Sequence, residues 1–165
     1  MTAYSAGHWT DFGVAVAGSA ATLAGLLFVA VSINLERVLS FPSLPARAGQ
    51  TLILFTTPLI AALCLLVPGQ ADVALGCEFL VLGVLVGGFQ VRLDARSVRA
   101  EQETPVTWVV SRVFPAIVSC GCIVVAGATL LARAGGGLYW LVPGALAGIV
   151  FGVINAWVLL VEIQR

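Results

Sequence analysis

The sequence has no lysine, one histidine and few charges of either sign: eight basic residues, all arginine, and eight acidic residues among 165 positions. Each shortage excludes a class of chemistry. Without lysine there is no P-loop, no Schiff-base nucleophile and no kinase lysine. His8, the single histidine, lies in the N-terminal segment, so a His-Glu-x-x-His zinc site is impossible and no buried histidine can activate a serine. The long apolar runs contain no aspartate that could serve an aspartyl intramembrane protease. A net charge of zero and the absence of nucleic-acid motifs remove any strong attraction for nucleic acid. Charged residues make up 10% of the chain, against about 25% in soluble domains, whose surface must be wetted. There are too few charges here to cover even a small sphere.

What the chain has in abundance is apolar surface. Sixty per cent of residues are hydrophobic and the mean hydropathy is +1.07. The four cysteines (Cys64, Cys77, Cys120 and Cys122) all fall inside apolar runs, where a free thiol behaves as a small hydrophobe. Cys120 and Cys122 lie about 200° apart around a helix, so they form no thiolate pair. No cofactor or enzymatic activity is expected.

About 20 apolar residues cross a hydrocarbon core of roughly 30 Å, and five stretches reach that length. The expected spans are 12–35, 48–67, 73–91, 105–132 and 138–161, within a single all-α transmembrane domain covering 1–165. Turn-forming residues separate them: Phe41-Pro42-Ser43-Leu44-Pro45, Pro68-Gly69-Gln70-Ala71-Asp72 and Gly135-Gly136-Gly137. Thr104 and Pro105 suit the N-cap and first position of the fourth helix. Arginine placement sets the orientation. Arg37, Arg47, Arg92, Arg96, Arg99, Arg112 and Arg165 fall on one side, and Arg133 alone on the other. The expected topology is therefore N-terminus out and C-terminus in, with cytoplasmic loops at 36–47 and 92–104. No basic residue precedes the first apolar run, which argues against a cleaved signal peptide, and no loop is long enough for a soluble core.

Helices in a bilayer gain by close backbone approach, which small residues permit. Such residues recur every four positions in the first span (Gly13, Ala17, Ala21, Gly25) and in the fifth (Gly144, Gly148, Gly152, Ala156); the third has Gly83 and Gly87. These faces serve either the protomer's own bundle or a neighbouring chain. Polar residues in the spans are the other candidates, because intramembrane charge is costly. Glu78 stands five residues into the third span, where it is suited to a cation, a proton or a hydrogen-bonding partner. Arg112 suits an ion-pair cluster with Glu36, Asp94 and Glu162, or a gate. Asn34 and Asn155 are placed to bond across helices. Arg92, Arg96 and Arg99 share a helical face that is expected to extend the third helix; partly neutralised by Asp94, Glu101 and Glu103, it serves either as a plain topology signal or as a contact for anionic lipid headgroups or a partner.

The stretch Ala20-Ala21-Thr22-Leu23-Ala24-Gly25-Leu26-Leu27-Phe28-Val29-Ala30-Val31-Ser32-Ile33-Asn34-Leu35-Glu36-Arg37 resembles the first span of small, uncharacterised bacterial polytopic membrane proteins, chiefly from high-GC bacteria. The likeness runs from Trp9 to Arg47. Some of those proteins carry an automatic label as modulators of a membrane-bound AAA protease. The resemblance implies a home in a bacterial inner membrane and fixes no active residue. The expected function is non-enzymatic helix–helix assembly, as a homo-oligomer or as a small subunit or modulator of a membrane complex. The competing expectation is an oligomeric ion channel or small-solute transporter.

Overall fold

The computed structural model describes residues 2–41, 44–97 and 113–164. After two 3-10 turns (Thr2–Tyr4 and Ala6–Trp9) come α1 (Thr10–Ile33), α2 (Leu35–Ser40), α3 (Leu44–Leu65), α4 (Asp72–Ser97) and α5 (Phe114–Ala132). A third 3-10 turn, Gly137–Trp140, leads into α6 (Leu141–Gln164). All of the α-helices except the short α2 are long and apolar enough to cross a membrane. No strand occurs among the described residues.

The helix ends have local causes. Asn34 leaves helical geometry (φ −108°, ψ 24°), and its amide donates to the Ala30 carbonyl at 2.9 Å. One orphaned carbonyl is thereby satisfied at the end of α1. α3 starts at Leu44, four residues before the expected span, because Arg47 is accommodated within the helix by an acidic partner on α6. α4 continues past the apolar run to Ser97, as the helical spacing of Arg92 and Arg96 predicts. The expected start of the fourth span at Thr104 and Pro105 lies outside the described residues. Between α5 and α6 the backbone has positive φ at Arg133 and at Gly135, Gly136 and Gly137. The three glycines adopt that geometry without a Cβ clash.

Successive long helices run in opposite directions. At one end the N-terminal turns meet the α5–α6 connection: the Gly136 N–H donates to the Tyr4 hydroxyl at 3.4 Å, and Trp9 packs edge-on against Tyr139. Gly13 at the start of α1 touches Leu65 and Leu66 at the end of α3. At the opposite end, Arg47 Nη1 donates to Glu162 Oε1 at 2.8 Å, tying α3 to α6. α3 is central, packing against α1, α6, α4 and α5, while α4 and α5 form the closest helix pair.

Among the described residues, three apolar clusters fill the interior. Leu75, Phe79, Ile123 and Leu138 lie in the one nearest the N-terminal turns. Val16, Ala62 and Ala145 form a second, and Leu27, Leu44, Phe55 and Leu159 belong to the third, at the far end. Polar side chains are also inside, among them Gln50, Thr51, Thr57, Gln90 and Ser119, whereas Phe28, Ile33 and Trp157 are at least two-thirds exposed. Contiguous apolar surface on this scale is foreign to water-soluble monomers. It suits a solvent of hydrocarbon.

Candidate helix-packing and polar sites

The small-residue row on α6 is spent within the chain. Gly144, Gly148 and Gly152 are buried, and Ala156 is half-buried against the Phe55–Leu159 cluster. A Cβ on Gly144 would stand 3.0 Å from Cys122 and 3.3 Å from the Ser119 carbonyl on α5. Farther along, the row passes onto α3, where Gly152 meets the Phe55 ring. Gly148 is the junction: its Cβ would lie 2.9 Å from the Leu54 carbonyl and 3.0 Å from Ser119 Oγ. Pro58 explains that carbonyl. It sits inside α3 without an N–H, so Leu54, four residues earlier, receives no helical hydrogen bond from it. Ser119 Oγ itself donates to the Gly144 carbonyl at 3.2 Å. Gly148→Ala is therefore expected to destabilise the bundle by about 2–3 kcal/mol through overpacking against backbone, measured as a loss in reversible unfolding in mixed micelles.

The α4–α5 contact uses Gly83, which four-residue spacing marks, together with Gly76 and Gly127, which it does not. Gly127 faces the Gly76 carbonyl and the Leu80 N–H, and Gly83 faces the Cys120 carbonyl. Gly76 and Gly83 are seven residues apart, two helical turns, and that spacing was the available signal. Gly87 makes an ordinary contact with Cys120 at 3.5 Å.

On α1 the row divides. Gly13 is buried, Ala17 half-buried, and Ala21 and Gly25 exposed. The reason is angular: four residues advance about 400°, so a strict four-residue row drifts roughly 40° per step around the axis. The buried positions of α1 are Gly13, Val16, Ala20 and Leu27, closer to a 3.5-residue repeat. Gly18 and Gly25 have no atom within 4 Å of where a Cβ would be.

Among the described residues the polar candidates do not converge on one place. Glu78 is exposed on α4, and Gln70 Nε2, from the preceding turn, donates to its Oε1 at 2.6 Å. The Cys64 thiol from the end of α3 faces the same carboxylate, and Gln70 Oε1 is buried without a partner. Sequence spacing concealed Gln70, since it lies eight residues from Glu78 across a turn. Asn34 bonds within its own helix, as described above, instead of across helices, and Asn155 is half-buried on α6. Arg92 is exposed, and Arg96 lies in the last turns of α4. Arg99 and Arg112 fall outside the described residues. Gln90, near the end of the expected third span, is buried on α4 and accepts from the Cys120 thiol at 3.6 Å.

The ion pair at the far end joins Arg47 to Glu162, with side chains 22% and 39% exposed. Partial solvation limits its value. A double-mutant cycle of Arg47→Ala and Glu162→Ala should give a coupling of about 0.5–1 kcal/mol that falls as salt is raised.

Comparison with family models, with curated proteins and with solved structures finds no match to this chain.

Proposed function

We propose that the chain is an integral protein of a bacterial inner (plasma) membrane, crossing it five times with the N-terminus outside and the C-terminus in the cytoplasm. It works through helix–helix contact, as a homo-oligomer or as a small subunit or modulator of a larger membrane complex. The observation that supports this most is the division of α1. Of the five long helices it is the least covered by the rest of the chain, and its middle presents Gly18, Ala21 and Gly25 outward. Where the outer face is cut down to glycine, as at Gly18 and Gly25 between the exposed Val14 and Val29, a helix loses dispersion contact with lipid and gains it against another helix.

Native mass spectrometry from mild detergent tests this reading. The expected species holds two or more copies, or one copy with a retained protein partner. A bare monomer under all mild conditions would overturn it.

The rival reading, a conducting oligomer, draws on the Glu78–Gln70 pair with its buried, unpartnered amide oxygen. Among the described residues, however, the interior holds three apolar clusters with a few buried polar side chains such as Thr57 and Ser119, an arrangement that favours a water column between copies over one within the protomer. Ion flux into liposomes holding the pure protein is expected to stay at background, equal to that of Glu78→Gln. A selective current abolished in Glu78→Gln would favour the channel instead.

A further inference from the structure

The closest helix pair in the molecule is also uneven along its length. Near the N-terminal turns the α4 and α5 backbones almost touch: a Cβ on Gly127 would lie 2.7 Å from the Gly76 carbonyl, and one on Gly83 3.0 Å from the Cys120 carbonyl. One turn farther, at Gly87, the spacing relaxes to 3.5 Å, and Gly88 and Gly121 would meet nothing within 4 Å. Past Gly83 the two helices thus part on their outer side. The result is a groove of about 270 Å³ whose walls include Val84, Gly88 and Val91 on α4 and Ile117 and Gly121 on α5.

Two features identify what fits there. The lining is apolar throughout, and between Gly83 and Val91 it extends for eight residues, about 12 Å. That is shorter than the roughly 15 Å of one leaflet's hydrocarbon. A basic residue stands just past the groove's end. Arg92 follows Val91 and lies one turn beyond Gly88 on the same side of α4, with its side chain exposed. Arg96 continues that four-residue row. An apolar trough that fits within one leaflet, with an exposed arginine one turn past Gly88, matches one chemistry, a long alkyl chain ending in an anion. A helix of about 10 Å diameter is too thick for this volume, and a free anion would gain nothing from the apolar walls.

We propose that the α4–α5 groove binds an anionic phospholipid, one acyl chain lying against Gly88 and Gly121 and the headgroup phosphate meeting Arg92. The lipid fills a gap that the described side chains leave open. Its phosphate holds the Arg92 guanidinium at the interface, where an arginine interacts most favourably with anionic headgroups. The proposal rests on the membrane reading above and is independent of self-assembly.

The test uses the full chain, delipidated in mild detergent and titrated with phosphatidylglycerol or phosphatidylcholine, with bound lipid counted by native mass spectrometry. The wild type is expected to retain one phosphatidylglycerol, with about a fivefold preference over phosphatidylcholine. Arg92→Gln should abolish the preference while lipid is still retained. Gly88→Leu and Gly121→Leu fill the groove from opposite walls, and each should lose the retained lipid; if one fails to fold, the other decides. Arg37→Gln, which removes an exposed arginine elsewhere, should behave as wild type. Equal retention of the two lipids, lipid still held by both filled variants, or an Arg37→Gln effect as large as that of Arg92→Gln would each overturn the proposal. Resistance of vesicle-bound protein to alkaline extraction reports membrane insertion separately. Extraction would sink the membrane reading itself; insertion without lipid preference would sink the groove alone.

Discussion

Gly127→Ala should destabilise the bundle by about 3 kcal/mol or more, while the same change at Gly121, fewer than two turns away on the same helix, should be neutral or stabilising by up to about 1 kcal/mol. The contrast follows from what each new methyl would meet. At Gly127 it would press on backbone, the Gly76 carbonyl at 2.7 Å and the Leu80 nitrogen at 2.9 Å. Neither atom can rotate away as a side-chain tip could, so α4 must move as a unit and the seam along Gly76 and Gly83 opens with it. At Gly121 the methyl enters open space, and alanine's better helix propensity is all that remains. Reversible unfolding of both variants in the same micelles measures the difference. Equal stabilities would mean that α4 and α5 are not seated against each other as described.

The second large effect concerns association. Gly18→Leu combined with Gly25→Leu should weaken self-association at least tenfold, about 1.4 kcal/mol, and leave the unfolding midpoint almost unchanged. Neither position has a neighbour for the new side chain to displace within the protomer, so folding should tolerate both leucines. A partner helix approaching α1 at backbone distance would not. Energy transfer between labelled copies, followed as the protein is diluted with lipid in vesicles, reports the dissociation directly. Unchanged transfer with unchanged stability would remove α1 as the contact face.

The sequence made the five long helices legible because hydrocarbon thickness imposes a length, and a charge-free run of that length has few alternative uses. Spacing rules did less well for packing. The α6 row of Gly144, Gly148 and Gly152 is buried over its whole length because α6 crosses from α5 to α3, so the drift of the row follows a change of neighbour. The identical spacing on α1 carries Ala21 and Gly25 away from the bundle, since α3 alone lies against most of that face. Periodicity describes one helix, whereas burial depends on how two axes cross, and crossing is a property of the pair.

The polar sites show the same division. Arg92 and Arg96 were correctly placed on an extension of α4, because helical spacing is local. The Glu78–Gln70 and Arg47–Glu162 contacts were not foreseen as pairs. The first bridges a turn, and the second joins residues 115 positions apart. Gln90 and Ser119 were missed because a single polar residue in an apolar run gives no hint of whether it faces a helix or the solvent. The close seam at Gly76 and Gly127 was hidden in a chain with 18 glycines, where a pair at almost any spacing arises by chance.

The proposed arrangement across the membrane is most directly tested by labelling single cysteines from the two sides of intact cells with a membrane-impermeant maleimide. Ala71→Cys, in the exposed turn between α3 and α4, should react from outside. Ser40→Cys, exposed at the end of α2, should react only after the membrane is opened. If both were reached from the same side in sealed cells, α3 would not cross the bilayer, and the five-span account would fail.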